Sequence, residues 1–151
     1  MIYIASDHAG YELKKHLCAY FDQHHITYED CGPFNYDALD DYPDFIIPAA
    51  EKVARGTGED KGIVIGGSGQ GEAIAANKVE GVRAALFYGG NKDIITLSRQ
   101  HNKANVFSLG ARFVRPDEAV DAVELWLKTK EGEEVKHLRR IEKIHIYEQK
   151  K

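Results

Sequence analysis

Short apolar runs alternate with longer stretches in which apolar residues return every three or four positions, from one end of the chain to the other. The runs 2–6, 26–30, 62–65, 83–87 and 106–109 have strand length. The first, third and fourth show little alternation, as expected of strands covered by helices on both faces. Residues 11–24 place Leu13, Leu17, Tyr20 and Phe21 on one stripe, with Glu12, Lys14, Lys15 and Asp22 on the other side of a surface helix. The same periodicity predicts helices at 44–55, 71–79, 91–101 and 116–128, the last opened by Pro116 in a first helical turn. Strand and helix in this regular order predict an α/β fold, a doubly wound five-stranded parallel sheet between helical layers.

Residues 35–43 carry Asp37, Asp40 and Asp41 with two tyrosines and read as a long loop, and 56–61 is a polar turn. After Lys130-Glu131-Gly132 a last amphipathic helix is expected at 133–147, with Val135, Leu138, Ile141, Ile144 and Ile146 as its apolar residues. No strand follows it, so it can pack on its own domain or reach a second subunit. The length of 151 residues suits one domain spanning 1–151.

Composition narrows the classes. Hydrophobic residues at 43% and charged residues at 29% are ordinary for a globular protein and exclude a fibrous or disordered chain. Twenty Lys and Arg against 24 acids leave a net charge of -4, which argues against a nucleic-acid surface and makes any anion site local. The apolar stretches are too short for a membrane span and Met1-Ile2-Tyr3-Ile4 has no basic leader, so a cytoplasmic protein is expected. Cys18 and Cys31 are expected as free thiols.

The strongest chemical signal is a predicted strand that runs into Gly66-Gly67-Ser68-Gly69-Gln70-Gly71 and then, at Glu72, into a helix. At the carboxyl end of a parallel strand such a turn lets backbone N–H groups approach an oxyanion or phosphate, although it can equally be a tight connection. No Gly-x-x-x-x-Gly-Lys-Ser/Thr occurs, and no Gly-x-Gly-x-x-Gly follows the first strand, which disfavours a nucleotide site. A serine hydroxyl, N–H donors and a carboxylate are the parts for proton abstraction beside a carbonyl, with Glu72 as base; its bland alternative is a favourable charge at a helix start. Ser6-Asp7-His8-Ala9-Gly10 puts a carboxylate and an imidazole at the same sheet edge, with helix capping as the alternative for Asp7. His101 and Asn102 precede the fifth strand, where a histidine can simply cap a helix, and Arg112 follows that strand. Lys136, His137, Arg139 and Arg140 form a basic cluster that is either a solvated face or, through Lys136 and Arg140, a phosphate clamp. The histidines show no metal-ligand spacing, and no metal is predicted.

Taken together, Ser6-Asp7-His8-Ala9-Gly10, Asp41-Tyr42-Pro43, Gly67-Ser68-Gly69-x-Gly71, Ala75-Ala76-Asn77-Lys78, Arg99-Gln100-His101-Asn102 and Lys136-His137-x-x-Arg140 closely resemble ribose-5-phosphate isomerase type B, the family that includes galactose-6-phosphate isomerase subunits. The resemblance runs from Ile2 to Ile144. It implies a Rossmann-like three-layer α/β/α sandwich, a homodimer or dimer of dimers with active sites shared between subunits, and a C-terminal helix that crosses to the partner. It further implies cofactor-free isomerisation of ribose 5-phosphate and ribulose 5-phosphate through ring opening and an enediolate. In that frame Asp7 and His101 open the ring, Asn102 binds substrate, Ser68 with Gly67, Gly69 and Gly71 holds the enediolate oxygen, and Tyr42 lines the sugar pocket. His8, Arg112, Lys136 and Arg140 bind phosphate. Two departures stand out. Many members have a cysteine base where this chain has Gly66; Gly66 with Glu72 is similar to a mycobacterial-like branch that uses glutamate. Lys136 stands where arginine is common, keeping the charge without the bidentate fork. Six-carbon sugar phosphates, such as allose or galactose 6-phosphate, and a non-catalytic sugar-phosphate binding module are the rival readings.

Overall fold

A computed structural model describes residues 1–150. Five parallel strands, β1 (Ile2–Ser6), β2 (Tyr28–Asp30), β3 (Lys61–Gly66), β4 (Ala84–Phe87) and β5 (Val106–Gly110), form one sheet in the order β2-β1-β3-β5-β4. Helices α1 (Tyr11–Gln23), α2 (Pro43–Arg55), α3 (Gln70–Ala76), α4 (Asp93–Asn102) and α5 (Pro116–Lys128) connect or follow the strands, and α6 (Val135–Glu148) is added at the end.

Two apolar layers sandwich the sheet. On one face Leu13, Leu17 and Phe21 of α1, Ile95 of α4 and Ala122, Val123 and Trp126 of α5 meet Ile4, Ile63, Phe107 and Leu109 of the strands. On the other, Ile46, Ala49, Ala50 and Val53 of α2 and Ala75 and Ala76 of α3 meet Ala5, Val64 and Val106. β3 alternates between the two, Ile63 and Ile65 to one layer and Val64 to the other, so its residues read as one apolar run. Each large side chain buried in this way contributes roughly 1.5–3 kcal/mol. The expected α/β/α sandwich is therefore present.

Several boundaries differ from the sequence reading. β2 begins at Tyr28 rather than at 26, because Ile26 still belongs to the turn, its N–H donating to Phe21 O at 2.9 Å. α3 stops at Ala76 rather than 79, because Asn77 turns to the sheet: its Oδ1 accepts the Ala84 N–H at 2.8 Å and its Nδ2 donates to Ala84 O at 3.1 Å. α4 starts at Asp93 rather than 91, where Asn91 Oδ1 accepts the Asp93 N–H at 2.9 Å, and it runs one residue further, to Asn102. Lys14, expected on the polar side of α1, is buried. Its ammonium reaches inward to Asp30 Oδ1 at 2.6 Å and Pro33 O at 2.7 Å, which compensates the loss of water.

The order of strands decides where a ligand can sit. From β1 the chain moves outward to β2, then returns to place β3 on the other side of β1. The carboxyl ends of β1 and β3 therefore flank the crevice where open α/β sheets bind ligands.

Candidate active site

β1 and β3 are paired in register, Ser6 opposite Ile65, so the segments after them emerge side by side. The Asp7 N–H donates to Ile65 O at 3.1 Å, and Asp7 Oδ1 accepts the Gly10 N–H at 2.8 Å. Asp7 thus closes the turn before α1 without being its N-cap, which is Gly10, while its other oxygen lies 4.0 Å from His8 Nδ1. On the far side β5 delivers Arg112, whose N–H donates to Gly67 O at 3.0 Å. These segments, with Tyr42 from the start of α2, enclose a cavity of about 250 Å3 lined by Asp7, His8, Tyr42, Ser68, Glu72 and Arg112, with Gly67 and Gly71.

Glu72, in the first turn of α3, is 4% exposed. A side chain on Gly66 would overlap the Glu72 carboxylate, so the absence of one at the end of β3 is what admits the acid to the sheet edge. Burial raises the Glu72 pKa above its ordinary value; the nearby Asp7 carboxylate pushes the same way, while its own backbone N–H and His8 oppose. Gly71 acts differently, since a Cβ there would lie 2.9 Å from Tyr42 Cζ, and the bare backbone lets the phenol close over the loop. Ser68 Oγ accepts the Gln70 N–H at 3.3 Å and is half-buried.

His8 is organised by a residue that its own motif does not include. Its Nδ1 lies 2.7 Å from Asp40 Oδ1, and the same oxygen accepts its backbone N–H at 3.1 Å. The Asp40 bond is the largest cause of a raised His8 pKa, with Asp7 adding and Arg112 opposing. From sequence Asp40 is one of three acids in a loop, and only the fold singles it out. Among the described residues Asp7, His8 and Asp40 are also the group whose donor atoms come within 4.8 Å of one another, close enough to hold a cation. The short Nδ1 to Oδ1 bond already engages two of those atoms with each other.

The remaining candidates are elsewhere on the same chain. α4 runs back from the carboxyl edge, so His101 and Asn102 at its end lie beside the amino edge of the sheet, where the chain enters β5. His101 stacks on His137 of α6, with ring centroids 4.0 Å apart. Arg83 Nε binds Asn102 O at 2.9 Å, and Lys136 pairs with Glu134 at 2.9 Å. Lys136 and Arg140 are both exposed on α6, whose far end reaches Gly81, before β4, through Glu148. The structure thus splits the predicted residues into two sets. Asp7, His8, Tyr42, Gly67, Ser68, Gly71, Glu72 and Arg112 line one cavity, with Gly69 in the same loop, while His101, Asn102, Lys136 and Arg140 lie at the opposite edge.

The fold and the cavity place the chain among α/β proteins that bind ligands at the carboxyl edge of a parallel sheet, and similar known proteins narrow the class. Residues 2–144 match the Ribose/Galactose Isomerase family. A protein of Mycolicibacterium paratuberculosis named ribose-5-phosphate isomerase B is 42% identical over 147 residues, which is 97% of this chain and 91% of that one. Among solved structures, ribose-5-phosphate isomerase B of Mycoplasma genitalium with bound ribulose-5-phosphate superposes with a TM-score of 0.92 at 43% identity, covering 99% of this chain and 97% of that one. The Clostridium thermocellum ribose-5-phosphate isomerase B gives a TM-score of 0.89 at 42% identity over 99% of this chain and 97% of its own. The chain belongs to the ribose/galactose isomerase family.

Proposed function

We propose that this chain interconverts ribose 5-phosphate and ribulose 5-phosphate through an enediolate, with Glu72 moving a proton between C1 and C2. The observation that carries the reading is a buried carboxylate with a raised pKa, held in the space above Gly66 and lining the cavity with Ser68, His8 and Arg112. A carboxylate tuned toward neutrality is suited to take a proton from carbon and return it. The relatives' activity and the ribulose-5-phosphate held by the Mycoplasma protein support a five-carbon substrate.

In this reading His8 and Arg112 hold the phosphate, Tyr42 lines the sugar, and Ser68 with the backbone of Gly67, Gly69 and Gly71 stabilises the enediolate oxygen. Asp7 and His101 open the ring and Asn102 binds the open chain. Because His101, Asn102, Lys136 and Arg140 lie on the opposite edge of their own sheet, they would serve the cavity of a second copy, in a homodimer or dimer of dimers. Exposed Ile94 and Leu97 on α4, and Leu138, Ile144 and Ile146 on α6, supply apolar surface for such a contact. The chemistry proposed needs neither cofactor nor metal. We assign residues 1–151 to one isomerase domain and place it in the cytoplasm, whose reducing conditions suit the free thiols of Cys18 and Cys31.

Incubation with ribose 5-phosphate in deuterated water tests this. Isomerisation carries deuterium to C2 of the aldose as the mixture equilibrates, whereas a binding module leaves the sugar unlabelled. A higher kcat/KM for allose or galactose 6-phosphate would overturn the choice of sugar.

A further inference from the structure

We propose that Asp40 is a positioning residue for this reaction, its buried carboxylate orienting the His8 imidazole so that Nε2 presents itself to the substrate phosphate. The inference rests on the sugar-phosphate reading above and adds to it a residue from a loop that otherwise faces solvent. Residues 34–39 are exposed, Leu39 to 90%, yet the Asp40 side chain that follows them is only 5% exposed. A local turn delivers it: the Leu39 N–H donates to Asp37 Oδ1 at 2.9 Å and the Asp40 N–H to Asp37 O at 3.2 Å.

One Asp40 oxygen then takes both the main-chain N–H and Nδ1 of His8. Two bonds from one residue to one atom fix the ring plane as well as its tautomer. An ionised carboxylate only accepts, so Nδ1 carries the proton and Nε2 is the ring nitrogen left for a ligand. The Tyr36 ring meets the imidazole edge-on at 6.4 Å and limits its rotation on the loop side. The anchor also lies two residues before Tyr42, so it holds the loop where the phenol covers Gly71.

The charges facing His8 are Asp40 and Asp7, which favour the imidazolium, and Arg112, which opposes it; the Glu72 carboxylate also feels the His8 charge across the cavity. The balance raises the His8 pKa, so the cation persists to higher pH than in a free histidine and remains available to a phosphate dianion. Asp40 Oδ2 is buried and has no hydrogen-bond partner, so the two bonds from His8 to Oδ1 are what compensate this acid.

Steady-state kinetics of Asp40→Asn on ribose 5-phosphate across pH test the proposal. The amide keeps the shape and removes the charge. KM is expected to rise about tenfold at neutral pH and its alkaline climb to begin at lower pH, with kcat within about threefold of wild type. In a His8→Gln background the same substitution should change KM by less than about twofold, because the residue acts through His8. A KM profile parallel to that of wild type, or a full loss that persists with His8→Gln, overturns the proposal. Should Asp40→Asn fail to fold, nitrogen-detected NMR of the wild-type His8 ring during titration with inorganic phosphate decides. Perturbation of Nε2 with Nδ1 protonated throughout supports Asp40, and phosphate contact at Nδ1 refutes it. That titration needs no turnover, so failure of the isomerase reading and failure of the Asp40 assignment give different results.

Discussion

The carboxylate of Glu72 fills the volume that a side chain on Gly66 would need. Position 66 ends β3 and position 72 lies in the first turn of α3, so one small space at the sheet edge is reached from both ends of the Gly-rich turn. Only one of the two residues can place a functional group there. The glycine at 66 is therefore what leaves room for the Glu72 carboxylate, the base in the proposed mechanism.

Glu72→Gln keeps the volume and removes the proposed base. Turnover should fall by about 100- to 10,000-fold with KM within a few-fold of wild type, measured in steady state. Near-normal kcat would sink the assignment of Glu72.

Gly66→Ala places a methyl group against the carboxylate. Urea unfolding should show a loss of about 1–3 kcal/mol, as expected of overpacking in a closed site. Adding Glu72→Ala to the same chain should restore part of that stability, a coupling that independent sites would not show.

The pH dependence of stability carries a sign that follows from burial. The folded Glu72 pKa lies above the ordinary glutamate value of 4.5, so the native state binds a proton that the unfolded chain has already lost. Its contribution is fully present below 4.5 and is lost as pH rises through the folded pKa. Relative to wild type, Glu72→Gln should gain stability as pH rises through this window, read as the difference between the two denaturation curves. Activity should move the other way: the proposed base must be ionised, so kcat is expected to rise with pH over the same range.

Shared sites can be tested by mixing inactive chains. If Glu72 of one copy works with His101 of another, a heterodimer of Glu72→Gln and His101→Ala contains one intact site. Co-refolding equal amounts should return about one quarter of wild-type activity, since half of the dimers are mixed and each has one working site of two. No recovery would place both residues in one chain's site.

Much of this was legible in the sequence for a simple reason. β3 and the Gly-rich turn are local, and their signals, an uninterrupted apolar run followed by glycines and an acid, need no distant partner to be read. The periodicity of α1 identified its buried face, Lys14 apart, because one side of the helix rests on the sheet. Lys14 escaped because a lysine reads as solvated unless its inward partners, here Asp30 and the Pro33 carbonyl, are known. Asp40 escaped because the acids of its loop look alike until one of them meets His8.

What the chain alone determined, then, was the set of elements and the motifs at their ends. Alternating strand and helix patterns specify parallel βα units, and the Gly66 to Glu72 segment carries its chemistry in consecutive residues. The order of the strands was decided only in three dimensions. β5 inserts between β3 and β4, a pairing set by which apolar faces fit together, and it brings Arg112 to the loop after β3. The same packing sends the end of α4 to the other edge of the sheet, parting His101 from Glu72, because a helix between parallel strands must run back against them. No spacing between residues in sequence records that separation, and it is the reason the proposed site calls for a second copy of the chain.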